Sequence, residues 1–418
     1  MDFLLGGIIA VSLSLCQALQ NSFILTFTKP STILRSLGMF CLGLFCLYQC
    51  RTIEHVFGII SYRHLFRELS IFQTAHSLNL LTGAGVSPSS VTSQTSTWAY
   101  IRSGFALSYN MRGIRTSWQI RPLPLFPSYM RQPKGVNRQE FLLRQTFTAI
   151  WIYLLLDTIY EQWKALPLQM KESYGPGTEL LFSKAQICAR AALCTAYIIL
   201  TKSVLDFFYR STSIITVWTG YCQPEDWPPL FGSIWDAYSQ RRFWGVYWHQ
   251  LLKWLFLSIR ANTVPYIKLL PGGRAIHNTV ATLLIFTVSG ILHAPMAEEL
   301  RREAPGRGSS HIVACFSFCS TFAAIETVVI RVLNSHNKNP SHLQRRAFAV
   351  LKILGYVWVI FTMSTMMPLV LYPILRLLDR QPTDIIPVSL VRMIGRPMAY
   401  MVLFLGVVIG KCRFDTSF

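Results

Sequence analysis

Charge is what this sequence has least of. Only 14% of its 418 residues are charged and 52% are hydrophobic, whereas a soluble domain is roughly a quarter charged. Acidic residues are the scarcest, 19 Asp and Glu against 39 Lys and Arg, a net charge of +20. No Cys-x-x-Cys pair occurs, and Cys16, Cys41, Cys46, Cys188 and Cys194 lie inside apolar runs. Neither a disulfide framework nor a structural metal is therefore expected. Cys315 and Cys319, a helical turn apart, read as buried thiols packed as small apolar groups. No Asn-x-Ser/Thr sequon has a permitted middle residue, which leaves no hint of a glycosylated lumenal loop. Internal repeats and a stretch of ordinary soluble-domain composition are absent too.

What the chain does have is apolar length. Its hydrophobic residues fall into blocks of about 18–20, enough to cross a hydrocarbon core roughly 30 Å thick. The expected fold is all-α, a polytopic integral membrane protein with about 8–10 membrane-associated helices in one domain spanning 1–418. Residues 3–19 lack the basic flank of a signal peptide and read as a first spanning helix. Further runs cover 33–48, 141–160, 180–200, 251–270, 278–293, 311–333, 350–375 and 397–410. Residues 56–72, broken by Arg63, His64 and Arg67, read as interfacial.

Between the apolar runs lies a polar and basic loop, 82–140. It is rich in Gly, Ser and Thr to residue 98, then basic and aromatic, with Pro122, Pro124, Pro127 and Pro133 barring a long helix. Basic residues gather there and at 301–307, as cytosolic loops facing anionic lipid do. The lipid bilayer is thus the expected partner of the charge. Nucleic acid is not, because no nucleic-acid module accompanies it. Arg112-Gly113-Ile114-Arg115-Thr116-Ser117-Trp118 is a compact basic-aromatic motif, either a headgroup anchor or functional. Within the apolar runs, Lys202 and Asp206 at i, i+4 are expected to pair, and Asp157 and Glu326 to hydrogen-bond to neighbouring helices.

The densest motif content lies in 224–293. It opens with Pro224-Glu225-Asp226-Trp227-Pro228-Pro229-Leu230 and reaches Arg241-Arg242-Phe243-Trp244-Gly245-Val246-Tyr247-Trp248-His249. After a loop at Pro271-Gly272-Gly273-Arg274, an apolar run ends in Ser289-Gly290-Ile291-Leu292-His293. Two histidines therefore flank membrane-compatible sequence, and the other seven (His55, His64, His76, His277, His311, His336, His342) lack such a context and read as structural.

Phe243-Trp244-Gly-x-x-Trp248-His249 together with Ser289-Gly290-x-x-His293 resembles the wax-synthase-like branch of the membrane-bound O-acyltransferases. The longer string from Pro224 to Gly245, and Arg112-Gly-Ile-x-Thr-x-Trp118, resemble fungal acetyltransferases that decorate terpenoid and meroterpenoid products. The resemblance implies a many-helix fold with a chamber open to the cytosol and residence in the endoplasmic reticulum. It also implies transfer of an acyl group to a hydroxyl. Acetyl-CoA would be the acyl-donor substrate, a hydrophobic terpenoid-like alcohol the acceptor, and no cofactor would be bound. In the wider superfamily an Asn often stands where this chain has His249.

Such a transfer needs a proton acceptor for the alcohol and a donor for the oxyanion. His293 suits the first role, a task worth about 10²–10⁴-fold in rate. His249 or a nearby Trp N–H suits the second. No Ser or Cys nucleophile is needed, so direct attack in a ternary complex is expected. Arg241, Arg242 and Arg274 are candidates for the phosphates of coenzyme A, or ordinary positive-inside residues. Phe243, Trp244 and Trp248 would shape the pocket mouth or form an interfacial aromatic belt. Asp236 would orient a histidine, cap a helix or pair with Arg241. Two other readings compete. One is a wax-ester synthase joining a long acyl chain to a fatty alcohol. The other is a transporter using Lys202, Asp206 and Glu326, for which inverted repeats would speak and none is seen.

Overall fold

The computed structural model describes residues 2–82, 86, 96–126, 130, 135–180, 183–296, 308–335, 342–381 and 384–414, and among these it contains helices and no strand. Most of the Gly/Ser/Thr-rich segment (83–85 and 87–95), the basic run 301–307, Pro127, Pro133 and His336 lie outside the described residues. The fold is all-α and polytopic. Among the described residues five helices are long and apolar enough to cross a bilayer: Leu4–Phe27, Ile33–Val56, Lys184–Trp218, Arg274–His293 and Ser309–Val329. Val350–Met366 and Pro368–Asp379, bent by 65°, make a sixth if counted as one span. The bend falls where Pro368 opens the second helix, since a proline has no N–H to continue the ladder.

The exposed surface of these helices is apolar, and polar side chains are buried among apolar ones in their interior. On the first helix, Leu4, Ile8, Val11, Leu15, Leu19 and Phe23 are exposed at helical spacing, while Gln17, Asn21 and Ser22 are wholly buried. In water that arrangement would be inverted; in lipid it is required, because polar groups must find partners inside the bundle.

The chain falls into two compact units, each built from two separated stretches: Met1–Arg121 with Leu251–Ser320, and Pro122–Gln250 with Thr321–Phe418. In the first unit, polar side chains join the helix Asp2–Phe27 to its neighbours. Ser14 donates to Gln73 (2.7 Å), Gln17 to Thr74 (2.7 Å) and Asn21 to Ser108 (2.7 Å). Most of the segment 56–72, expected to lie in the interface, belongs to a longer helix, Ile60–Thr82, which Gln73 and Thr74 tie to Asp2–Phe27. Its second half, including Gln73, Thr74, His76, Ser77 and Asn79, is buried. The run 251–270 also differs from expectation. Its helix, Lys253–Ile267, has 15 residues with Pro265 inside, a length of about 22 Å, too short to cross alone.

In the second unit, the helices Arg138–Lys164 and Lys184–Trp218 pack together, and the expected Lys202–Asp206 pair gives way to another. Asp206 accepts from Arg210 Nε at 3.0 Å, and Arg210 reaches Gln145 at 2.5 Å with its other arm. A guanidinium fork serves two acceptors where an ammonium serves one point. Lys202 Nζ lies over the Phe231 ring, 5.1 Å from its centroid. Asp157, fully buried, accepts from Ser389 Oγ (3.1 Å) and Val391 N (2.8 Å), and so holds the start of the short helix Leu390–Ile394. Glu326 accepts from the Gln240 backbone N–H at 2.6 Å. Both acidic groups therefore make the cross-element hydrogen bonds expected of them.

Candidate active site

His293 is the last residue of the helix Arg274–His293, in the first unit. Its Nδ1 lies 3.0 Å from Oε1 of Glu68 on the helix Ile60–Thr82. The ring is stacked on Phe316, centroids 4.8 Å apart at 14°, and meets the edge of Phe72 at 5.3 Å and 89°. Its side chain keeps 17% of its surface open, so the imidazole is held but not sealed. Gly290 makes this packing possible. A Cβ there would meet Val313 Cα at 2.8 Å and Phe316 Cβ at 3.2 Å. The Ser-Gly-x-x-His pattern thus brings two helices close enough for the ring, one turn on, to lie flat on Phe316.

His249 belongs to the second unit and follows a five-residue π-helical turn, Phe243–Tyr247, closed by Trp248 N–H donating to the Phe243 carbonyl at 2.7 Å. Such turns are rare and frequent at functional sites. Aromatic packing orders the turn. Phe243 stacks on Trp248 at 5.6 Å and meets Trp244 edge-on at 5.0 Å, while Phe231 meets Trp248 (5.6 Å) and His249 (6.3 Å) edge-on. Phe243 is buried, at the centre of a cluster with Ala237, Tyr247, Val359 and Met363, and Trp244 and Trp248 pack against that cluster half-buried. Burial pushes the Tyr247 hydroxyl up to about 12, which keeps it protonated at neutral pH.

Hydrogen bonds anchor the turn at its start. Gln240, almost fully buried, accepts from Trp244 Nε1 at 3.0 Å, donates to Thr362, and is itself held by Glu326. The polar residues of the preceding string bond to backbone N–H groups near and far along the chain. Glu225 accepts from Val136 N (2.8 Å), Asp226 from Gln223 N (2.7 Å) and Ser239 from Arg242 N (3.2 Å). Gly232 donates to the Tyr247 carbonyl at 2.9 Å, and a Cβ at Gly232 would clash with the Val246 carbonyl oxygen.

The remaining candidates separate. Asp236 is bonded to the Arg242 guanidinium, whose Nε also donates to the Asp236 carbonyl at 3.1 Å. Its partner is thus Arg242 and not the neighbouring Arg241. Arg242 lies over the Tyr238 ring at 4.8 Å as well, whereas Arg241 is exposed. Arg274 is exposed at the opposite end of the His293 helix, roughly 28 Å away at about 1.5 Å per residue. Trp118 of the basic-aromatic motif packs on Trp254 at 4.1 Å, and Trp254 meets His76 at 5.2 Å. Burial pushes His76 down to about 4 against the pull of its 2.8 Å contact with the Leu107 carbonyl.

Glu68, Phe316 and Gln240 are the residues that reading the sequence missed. A signal existed for Glu68. With so few acids in the chain, a carboxylate inside a membrane-associated segment must have a partner.

The comparisons with known proteins bear on this same region. The family described as "Membrane bound O-acyl transferase family" matches residues 227–319, which include His249, Gly290 and His293. The chain is 32% identical over 320 residues to acetyltransferase atnC of Arthrinium sp, covering 75% of this chain and 72% of that one. It is 30% identical over 306 residues to acetyltransferase TRI7 of Fusarium sporotrichioides, covering 71% and 69%. Against acetyltransferase cdmC of Talaromyces verruculosus it is 26% identical over 413 residues, 96% of each. The chain belongs to the membrane-bound O-acyltransferase family. It is an integral-membrane acyltransferase, and its reaction moves an acyl group from a donor to an acceptor.

Proposed function

We propose that this enzyme moves an acetyl group from acetyl-CoA to a hydroxyl of a terpenoid-like secondary metabolite at the endoplasmic reticulum membrane. The observation that carries the chemistry is the His293 site. With Nδ1 on Glu68, Nε2 is the ring nitrogen left to accept a proton. The alcohol oxygen attacks the thioester carbonyl carbon as His293 takes the hydroxyl proton. The tetrahedral oxyanion needs a hydrogen-bond donor, and that role is proposed for His249. Collapse breaks the carbon–sulfur bond, the proton passes to the departing thiolate, and an acetate ester and coenzyme A leave. No residue is acylated on the way.

Acetyl as the group transferred is supported by the relatives being acetyltransferases, and the terpenoid-like acceptor by the motifs at 112–118 and 224–245. An apolar acceptor also suits the aromatic cluster around Phe243, Trp244 and Trp248. Among the arginines, exposed Arg241 is the better candidate for a coenzyme A phosphate, since Arg242 is engaged by Asp236.

The test is product formation in microsomes carrying the full chain. One arm receives acetyl-CoA with a panel of hydroxylated terpenoids, the other a long-chain acyl-CoA with a long-chain alcohol, and products are read by mass. An acetylated terpenoid is expected. Product from the long-chain arm alone would replace this reading with wax-ester synthesis.

A further inference from the structure

Glu68 sits on the helix Ile60–Thr82 with 21% of its side chain exposed, and its carboxylate meets the His293 ring at 3.0 Å. Phe72, one turn further along the same helix, places its edge against that ring, while Phe316 lies flat on it. One helix face thus supplies both an acceptor and a wall, and a second helix supplies the floor. The aromatic contacts restrain the plane of the imidazole, but they do not tell its two nitrogens apart. The terminal torsion of a histidine is broad and roughly two-fold. A ring turned over by half a rotation would keep its plane on Phe316 but put carbons where Nδ1 and Nε2 stand. Among the ring's described contacts, the carboxylate distinguishes the two orientations, because it accepts from an N–H and not from a C–H.

We propose that Glu68 is a positioning residue for His293. By accepting the Nδ1 proton it fixes the tautomer and ring orientation in which Nε2 takes the proton of the alcohol. Its charge then stabilises the imidazolium that forms in the transition state. This rests on His293 being the base. The division of labour is that of a base held by an orienting carboxylate, here assembled across 225 residues of sequence. A mostly buried carboxylate is costly unless a partner stabilises its charge. A neutral glutamine could bridge the two helices at lower desolvation cost.

The distinguishing experiment uses the full chain in microsomes, acetyl-CoA, and the hydroxylated terpenoid panel. Wild type is compared with Glu68→Gln, Glu68→Asp, His293→Ala and the double variant Glu68→Gln/His293→Ala, each checked for a monodisperse peak after solubilisation. Glu68→Gln is expected to lower kcat by about 10²-fold with KM for both substrates unchanged, and Glu68→Asp to recover much of the loss. The double variant should be no slower than His293→Ala, because two groups that act as one unit do not lose activity additively.

Wild-type kcat in Glu68→Gln beside an inactive His293→Ala would overturn the positioning role and leave the base assignment standing. Losses that multiply in the double variant, or a raised KM with no change in kcat, would also overturn it. An active His293→Ala would instead remove the reading on which it rests. If Glu68→Gln does not fold, Glu68→Ala decides: a kcat lowered by about 10²-fold at constant KM supports the role, and wild-type kcat overturns it.

Discussion

Replacing Gly290 by alanine adds a single methyl group at the helix crossing beside His293. That carbon would sit 2.8 Å from Val313 Cα, where ordinary contact begins at 3.4 Å. The obstruction is backbone, so a rotamer change cannot relieve it, and the helices must part by about 0.6 Å or more, an overpacking cost of about 1–3 kcal/mol. His293 is one turn further along and would move with its helix. A shift of that size along the Glu68–His293 vector would stretch a 3.0 Å hydrogen bond to about 3.6 Å, beyond useful range. Misplacement of about 1 Å costs up to about 10²-fold in rate. Gly290→Ala should therefore lose about 10–100-fold in kcat and melt at a lower temperature. Gly43→Ala is the matched control, because a Cβ there meets nothing within 4 Å, and it should stabilise the helix by about 0.4–1 kcal/mol. Both are read by product mass and by thermal aggregation of solubilised protein. A fully active Gly290→Ala would refute the claim that the crossing sets the position of His293.

Other perturbations test other parts of the account. Asp236→Asn should leave kcat nearly unchanged, since Asp236 is engaged by Arg242; a loss as large as that of His293→Ala would restore an orienting role. Arg376 and Glu179 form an ion pair at 2.9 Å with 9% and 2% of their side chains exposed. Arg376→Met would leave a buried charge uncompensated and should cost about 3–5 kcal/mol in thermal stability, and a neutral result would show the pair to be dispensable. Arg392 and Lys164 hold the Asp384 carboxyl down to about 2. A folded value below the unfolded one of about 3.9 means stability is present above that pH and fades as pH falls toward about 2. Asp384 is 41% exposed, so solvent screening keeps the contribution to a fraction of about 1 kcal/mol. Melting curves of wild type and Asp384→Asn should converge at the acid end, and a constant gap at every pH would contradict the assignment.

The membrane class, the all-helical fold and the family were legible because each rests on local properties: apolar run length and short motifs. Asp157 and Glu326 were legible in part, since a buried carboxylate must find a donor, but the donors lie far along the chain. Glu68 failed for the same reason. Its helix reads as broken by Arg63, His64 and Arg67, and nothing near it announces a histidine 225 residues away. Lys202 and Asp206 show the limit of spacing rules, because Arg210 stands at the same i, i+4 distance from Asp206 and bonds to both Asp206 and Gln145. The short helix Lys253–Ile267 lay hidden in an apolar run of spanning length, since composition does not say where the helix stops. The π-helical turn before His249 was likewise beyond reach. Its extra residue is accommodated by aromatic packing and by Gln240, not by local propensity.

The most direct test of the central claim is kcat for terpenoid acetylation by His293→Ala, measured in microsomes at matched expression against wild type. A loss of about 10² to 10⁴-fold with acetyl-CoA still bound is the outcome the account requires. Wild-type turnover by the variant would contradict it, and with it the role of His293 as the group that takes the proton from the alcohol.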